Sequence, residues 1–173
     1  MSDYYAESSS GGYLSEPPFK RSSSIRSEGQ LDLRGPLEVL GSVKAGRGIN
    51  FDGDIIVRDK IDAYGNINVD GNLSCDGRIK AYGNIVLNGY MLSKDKIKCY
   101  GRLQITGTLD GNELRIYGNL SINGYLKCRR LIVYGSLTLI GPESSYTVEE
   151  HEEITGAKLM REDEPDWDWT TTG

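Results

Sequence analysis

Histidine is nearly missing from this chain of 173 residues: there is one, His151. Imidazole-based catalysis and His-ligated metal or haem sites therefore have little to draw on. The three cysteines, Cys75, Cys99 and Cys128, make an odd set without metal-ligand spacing, which points to free thiols in a reducing compartment. Phe is scarce, at two, although Tyr reaches eleven. No apolar run approaches the ~18 residues that a membrane-spanning helix needs. The N-terminal Met1-Ser2-Asp3-Tyr4-Tyr5 carries neither a basic nor an apolar signal region. The expected location is cytoplasmic. No catalytic residue, metal site or cofactor is expected.

Charge of one sign is scarce in places. Residues 142–173 hold ten acids against two bases, and residues 1–30 hold four against three. With a total of −5, the stretch between them is +4. A mildly basic body carries an acidic tail.

What is abundant is glycine, with 22 residues, about twice the usual ~7 %. Gly65, Gly71, Gly77, Gly83 and Gly89 follow one another at a spacing of six, and Gly35, Gly41, Gly53, Gly101 and Gly107 keep the same phase. After Gly107 the phase slips by one residue before Gly118 and Gly124, and again before Gly135 and Gly141. A longer period lies above it: Ala63-Tyr64-Gly65, Ala81-Tyr82-Gly83, Cys99-Tyr100-Gly101, Ile116-Tyr117-Gly118 and Val133-Tyr134-Gly135 recur every 17 or 18 residues. Internal repetition of this kind decides architecture before any local propensity does.

Counting from each glycine, positions +2 and +4 are apolar, as in Ile67/Val69, Leu73/Cys75, Ile79/Ala81 and Ile85/Leu87. A spacing of two is the period of a strand with one face inside. Glycine at every sixth position permits positive φ at a corner. Three short strands and three corners per coil make an all-β, single-stranded, triangular β-solenoid. Residues 36–141 give six coils, and among their inward positions only Ser93 and Gly111 are not apolar. The cysteines fall at inward positions and are expected to act as small apolar fillers.

Outward residues of successive coils should form rows along the column. One row is Tyr64, Tyr82, Tyr100, Tyr117 and Tyr134; beside it lie Lys80, Lys98 and Arg115. This tyrosine and basic face is a candidate lateral or partner surface, since Tyr with Arg or Lys is the composition of binding surfaces. The same stack would also stabilise a solenoid without any partner. Nucleic acid is a weak fit, because a body of +4 with interleaved acids is far from a strongly basic domain. Asn66, Asn84 and Asn119 should stack along the next corner.

The domain plan is a disordered Ser/Gly-rich head over 1–30, a solenoid body over 31–141 and an acidic tail over 142–173 that partly covers the last coil. Ser22, Ser23 and Ser24 follow Lys20-Arg21 as candidate phosphorylation sites. Trp167 and Trp169 lie in an acidic stretch that suits a recognition peptide for a protein partner, or one that docks on the tyrosine face.

The run Gly65-Asn66-Ile67-Asn68-Val69-Asp70-Gly71-Asn72-Leu73-Ser74-Cys75-Asp76-Gly77-Arg78-Ile79-Lys80-Ala81-Tyr82-Gly83-Asn84-Ile85 resembles the bactofilins, polymer-forming cytoskeletal proteins with G-x-[IV]-x-[VA]-x-G units. The resemblance covers about 31–141. It implies a right-handed triangular β-helix and filaments that form without nucleotide by end-to-end stacking of cores. The tyrosine row and the Trp-containing tail have no counterpart in that family's pattern, and the head lacks an apolar membrane-targeting stretch. Hexapeptide acyltransferases put Ile, Leu or Val before Gly and depend on a His; here Tyr, Asp, Asn or Thr precede the repeat glycines from Gly53 to Gly135, and no His lies in the coils.

The function expected is therefore structural: a homo-oligomer or filament joined through terminal coils, with Leu37, Val39, Leu137 and Leu139 at the end contacts. The alternative is a binding module that does not polymerise and uses the tyrosine and basic face for an anionic polymer or a partner's acidic segment. An enzyme is not expected.

Overall fold

The computed structural model describes residues 20–162. The described chain is an all-β parallel solenoid of about eight turns. The first coil is β1 (Lys20–Ser22), β2 (Ile25–Ser27) and β3 (Leu31–Arg34). The chain continues through β4 (Leu37–Val39), β5 (Val43–Ala45), β6 (Ile49–Val57), β7 (Ile61–Ala63), β8 (Ile67–Cys75), β9 (Ile79–Ala81) and β10 (Ile85–Ser93). It ends with β11 (Lys96–Cys99), β12 (Leu103–Asp110), β13 (Glu113–Ile116), β14 (Leu120–Val133), β15 (Leu137–Ile140), β16 (Ser145–Ile154) and β17 (Lys158–Arg161).

Every pairing is parallel and joins one coil to the next. Three flat faces result, taken here in the order β1, β2, β3. Long strands such as β8 and β10 belong to two faces, because they pass from the third face to the first without a break. The inward positions expected from the hexads form one continuous core: Ile67, Leu73, Ile79, Ile85, Met91, Ile97 and Leu103 are among its fully buried side chains. The 18-residue offset puts like on like, so Ile61 lies under Ile79 and Ile79 under Ile97. Ser93 is the buried polar exception at an inward position, and its hydroxyl donates to the Asp95 carbonyl at 3.2 Å.

Two expectations change. The column is longer than the body expected over 31–141. Residues 20–30, expected to be disordered, carry β1 and β2, which pair with β4 and β5. In the acidic tail, β16 and β17 pair with β14 and β15, so this segment forms a further coil. The inward positions of both added coils are partly polar (Lys20, Ser22 and Ser27 at one end, Glu152 and Lys158 at the other), which hides the apolar period there. Residues 1–19 of the head lie outside the described residues.

The corners are also not equivalent. Among the described glycines, positive φ occurs at Gly53, Gly71, Gly89, Gly107, Gly124 and Gly141, all at the corner between the third and first faces, and the first five stack on one another. At the corner after the second face, Gly65 and Gly118 keep ordinary φ. They are small for a different reason: a Cβ at Gly65 would crowd the Arg47 backbone at 3.0 Å, and one at Gly118 would meet the Gly101 carbonyl at 2.5 Å.

Candidate functional site

The corner that follows the second face carries the tyrosine row, because each Tyr stands at the end of an inward-outward alternation and just before a tightly packed glycine. The five rings of Tyr64, Tyr82, Tyr100, Tyr117 and Tyr134 form one continuous stack. Centroids are 5.0 Å apart at the first step and 4.9 Å at the others, close to the spacing of the coils themselves. The rings stay wet: Tyr64 is 59 % exposed and Tyr134 44 %. Offset or parallel aromatic pairs at such distances contribute about 0.5–1.5 kcal/mol each beyond area burial.

On the second face, pairing places Asp62, Lys80, Lys98, Arg115 and Ile132 in one outward row beside that stack. Lys80 Nζ lies 4.9 Å from the Tyr82 centroid, and Lys98 Nζ lies 5.4 Å from Tyr100 and 5.9 Å from Tyr117. The Tyr82 hydroxyl, hydrogen-bonded to Lys80, holds that ammonium above its ordinary pKa. The expected basic and aromatic rows are thus brought together on one flat surface. Acids interrupt them: Arg78 Nη2 meets Asp62 at 3.4 Å, and Glu113 receives Lys96 at 3.8 Å and Arg115 at 3.6 Å.

The asparagine row is built as expected, with backbone groups as partners. The amide N–H of Asn84 donates to Asn66 Oδ1 and that of Arg102 to Asn84 Oδ1, both at 2.8 Å. Ser136 N–H donates to Asn119 Oδ1 at 2.9 Å. These bonds satisfy corner backbone groups between strands, which is a structural task.

Leu37, Val39 and Leu137, expected at the column ends, are not terminal. β1 covers Leu37 and Val39, and β17 covers Leu137, so all three are buried. Leu139 is half-buried under Met160. The true end coils expose other side chains. At the N-terminal rim Ile25, Leu31 and Leu33 are only partly buried; at the C-terminal rim the same holds for Tyr146, Val148 and Ile154. Met160, the last inward residue of its face, is 73 % exposed.

One cluster at the C-terminal rim was not expected. Tyr146, Glu152 and Lys158 occupy inward columns on the three faces, above Leu126, Leu131 and Leu137. The Tyr146 hydroxyl donates to Glu152 Oε2 at 2.9 Å, Lys158 forms an ion pair with the same oxygen, and its Nζ lies 5.7 Å from the Tyr146 centroid. Desolvation pushes the Tyr146 hydroxyl pKa up, and hydrogen bonds with Glu152 and Tyr146 push Lys158 up. A polar group thus lies across the end of the hydrophobic core. The sequence signal was a Glu and a Lys in the tail; only the register shows that they point inward.

A second unexpected network runs along the column: Arg21 to Glu38 at 3.1 Å, Arg58 to Glu38 at 2.8 Å, Arg58 to Asp76 at 3.5 Å and Lys94 to Asp76 at 3.3 Å. Alternating charge at steps of about one coil was visible in the sequence as a signal for it. Glu38 is buried, and the Arg58 hydrogen bond holds its carboxyl below the usual range despite desolvation, with Arg21 adding to the effect. A carboxyl with a lowered folded-state pKa contributes stability above its unfolded value of about 4.3, and loses it as pH falls through the folded value. Glu38→Gln is therefore expected to lower the urea midpoint at pH 7, with the gap to the parent chain closing below about pH 4. A gap that stays constant from pH 7 to pH 3 would show that the charge of Glu38 is not what stabilises.

Of the remaining candidates, Ser23 and Ser24 are exposed and Ser22 is half-buried in β1. The Ser24 hydroxyl accepts the Ser42 N–H at 3.0 Å, tying the first coil to the second. Burial pushes the thiols of Cys75 and Cys128 to about 12 and Cys99 to about 11, which leaves them poor nucleophiles. Trp167 and Trp169 lie outside the described residues. Among the described residues no group of His, Cys, Asp or Glu is placed to hold a metal ion. Compared with protein-family models, with curated proteins and with solved structures, the chain matches none.

Proposed function

We propose that this protein is a structural subunit that self-associates through the ends of its column into filaments or a scaffold, without nucleotide, in the manner of the bactofilins it resembles, and that it works in the cytoplasm. The observation that carries this reading is the state of the two end coils. Among the described residues each pairs on one side only, so within them each offers N–H and C=O rows of three parallel strands with no strand partner, together with partly buried apolar side chains. Open edges of this kind template further strands. Growth by stacking adds whole coils to a core already in register, and it requires no energy source beyond burial and backbone pairing.

The test is negative-stain microscopy with sedimentation velocity over a range of protein concentration, with no nucleotide added. Filaments or a concentration-dependent ladder of species is the expected result. A single small species at every concentration would remove the reading.

The second reading is a binding module whose tyrosine and basic face takes an anionic polymer or an acidic segment. The stacked, exposed rings with Lys80 and Lys98 over them favour it. It predicts a discrete species in sedimentation and ligand binding that weakens with salt.

A further inference from the structure

Charge is unevenly distributed around the column. The two outward rows of the second face hold nine Lys or Arg and three acids, Asp62, Glu113 and Glu153. Arg78 is taken up by Asp62, and Lys96 and Arg115 by Glu113. Glu153 faces His151 at 3.4 Å. That leaves Arg26, Lys44, Lys60, Lys80, Lys98 and Arg130 with no ion pair among the described residues. Asp59 and Asp95 border the face, but Asp59 accepts the Ser42 hydroxyl at 2.8 Å and Asp95 the Lys96 N–H at 2.7 Å. The third face is nearly neutral: along its central outward row Asp32 is followed by Asn50, Asn68, Val86, Gln104 and Ser121. On the first face, bases alternate with acids in the network around Glu38 and Asp76. The basic excess is therefore confined to one flat side, and the exposed tyrosine stack runs along its margin.

One stretch of the chain has the opposite character. Residues 163–169, Asp163-Glu164-Pro165-Asp166-Trp167-Asp168-Trp169, carry four acids, no base and both tryptophans of the protein. We infer that this segment of one copy docks on the second face of another, with its carboxylates on the free Lys and Arg and its Trp rings against the tyrosine stack. This rests on the second reading above and deepens it, by naming the acidic partner as a second copy of the chain.

Reach decides between a chain's own face and its neighbour's. Glu162 lies at the C-terminal rim, one residue after β17. Asp168 is six residues further on and extends at most about 20–22 Å from it. The register puts Lys60, Lys44 and Arg26 five, six and seven coils below the last coil. At ~4.8 Å per coil that is about 24, 29 and 34 Å along the axis alone. The end of the face nearest the segment's own origin is also its poorest match, since it closes with Ile132, His151 and Glu153. An antiparallel neighbour removes both obstacles. Its C-terminal rim lies beside the N-terminal half of the first column, where Arg26, Lys44, Lys60 and Lys80 stand. The exchange is reciprocal, so two copies close into a discrete dimer.

The aromatic partners suit one another. Tyr64 and Tyr82 in that half are exposed, and Lys80 already lies over the Tyr82 ring. Trp is the aromatic that cations prefer, and rings that cannot stack face to face meet edge to face. Because the charges are at the surface, the contact weakens with salt.

Both tryptophans lie in the segment, so tryptophan fluorescence of the full chain reports on it alone. At low salt, acrylamide quenching should fall at least about twofold as protein concentration is raised, and added salt should reverse the fall. Lys60→Glu with Lys80→Glu, checked for the parental circular dichroism spectrum, should abolish the fall. Asp166→Lys with Asp168→Lys should do the same from outside the described column, and the fourfold variant should recover protection in part. Labelled poly-glutamate should bind the Asp166→Lys/Asp168→Lys variant, whose face is left open. Quenching that never changes with concentration, while poly-glutamate binds, would overturn docking between copies and leave the face as a site for a foreign acidic partner. Protection already complete at the lowest concentration would place the segment on its own column and overturn the exchange. Protection that persists in Lys60→Glu/Lys80→Glu would trace it to end stacking and overturn it as well. Unchanged quenching together with no poly-glutamate binding would overturn both the exchange and the second reading.

Discussion

Gly107→Ala should destabilise the column by about 3 kcal/mol or more, as expected when left-handed backbone strain and steric overlap act together. Gly107 sits at φ +123°, outside the reach of ordinary L-residues. A Cβ there would overlap the Gly89 carbonyl oxygen. Relief by backbone movement is blocked, because Gly107 is held between Gly89 and Gly124 in the ladder, each with its own positive φ. The measurement is the urea midpoint followed by circular dichroism. Gly29→Ala is the control: its nearest neighbour would be Ser27 Oγ at 4.0 Å and its φ is not positive, so a change within about 0.5 kcal/mol is expected. Equal midpoints for Gly107→Ala and the parent would mean that this corner does not depend on glycine.

The second large effect is expected at Ile97, which is fully buried between Ile79 and Leu114. Ile97→Ala should cost about 2–5 kcal/mol through lost burial and a residual cavity. Ile97→Asp should cost more, because a carboxylate with no partner would enter the core. The pattern of loss matters as much as its size. Each coil touches only its neighbours, so a break in the middle should split the unfolding into parts. Hydrogen exchange of Ile97→Asp is expected to show protection kept longest in the coils farthest from residue 97. Uniform loss of protection along all coils would show that the column melts as one unit despite its repeating construction.

The two sites differ in how far they could be read from the chain alone. Ile97 is legible, since it obeys the alternation of its hexad. The special status of Gly107 is not. All three corners present glycine at the same spacing, and the sequence-based expectation of positive φ applied to each; only one corner adopts it. The other corners use glycine to let successive backbones approach, as at Gly65 and Gly118.

The candidate surfaces divide in the same way. The tyrosine stack followed directly from Tyr-Gly recurring every 17 or 18 residues. The Asn66 and Asn84 row was legible as a row, although its acceptors serve the backbone of the next coil. The end contacts expected at Leu37, Val39, Leu137 and Leu139 failed because the limits of the column were drawn where its apolar record stops. Past that point Lys20, Ser22, Ser27, Glu152 and Lys158 hold inward columns. The chain continues winding there because backbone groups pair with an existing strand edge whatever side chains they carry.

Periodicity by itself determined the three-sided winding, the buried face of every central strand and the rows that line the outside. Those follow from strand geometry once a residue is assigned a place in its hexad. Tertiary structure alone decided which corner turns through positive φ, where the column begins and ends, and which side chains meet across its rims. Each of these depends on what the neighbouring coil supplies, a hydrogen-bonding edge, a carbonyl in the way or an opposite charge, and that neighbour lies about a full coil away along the chain.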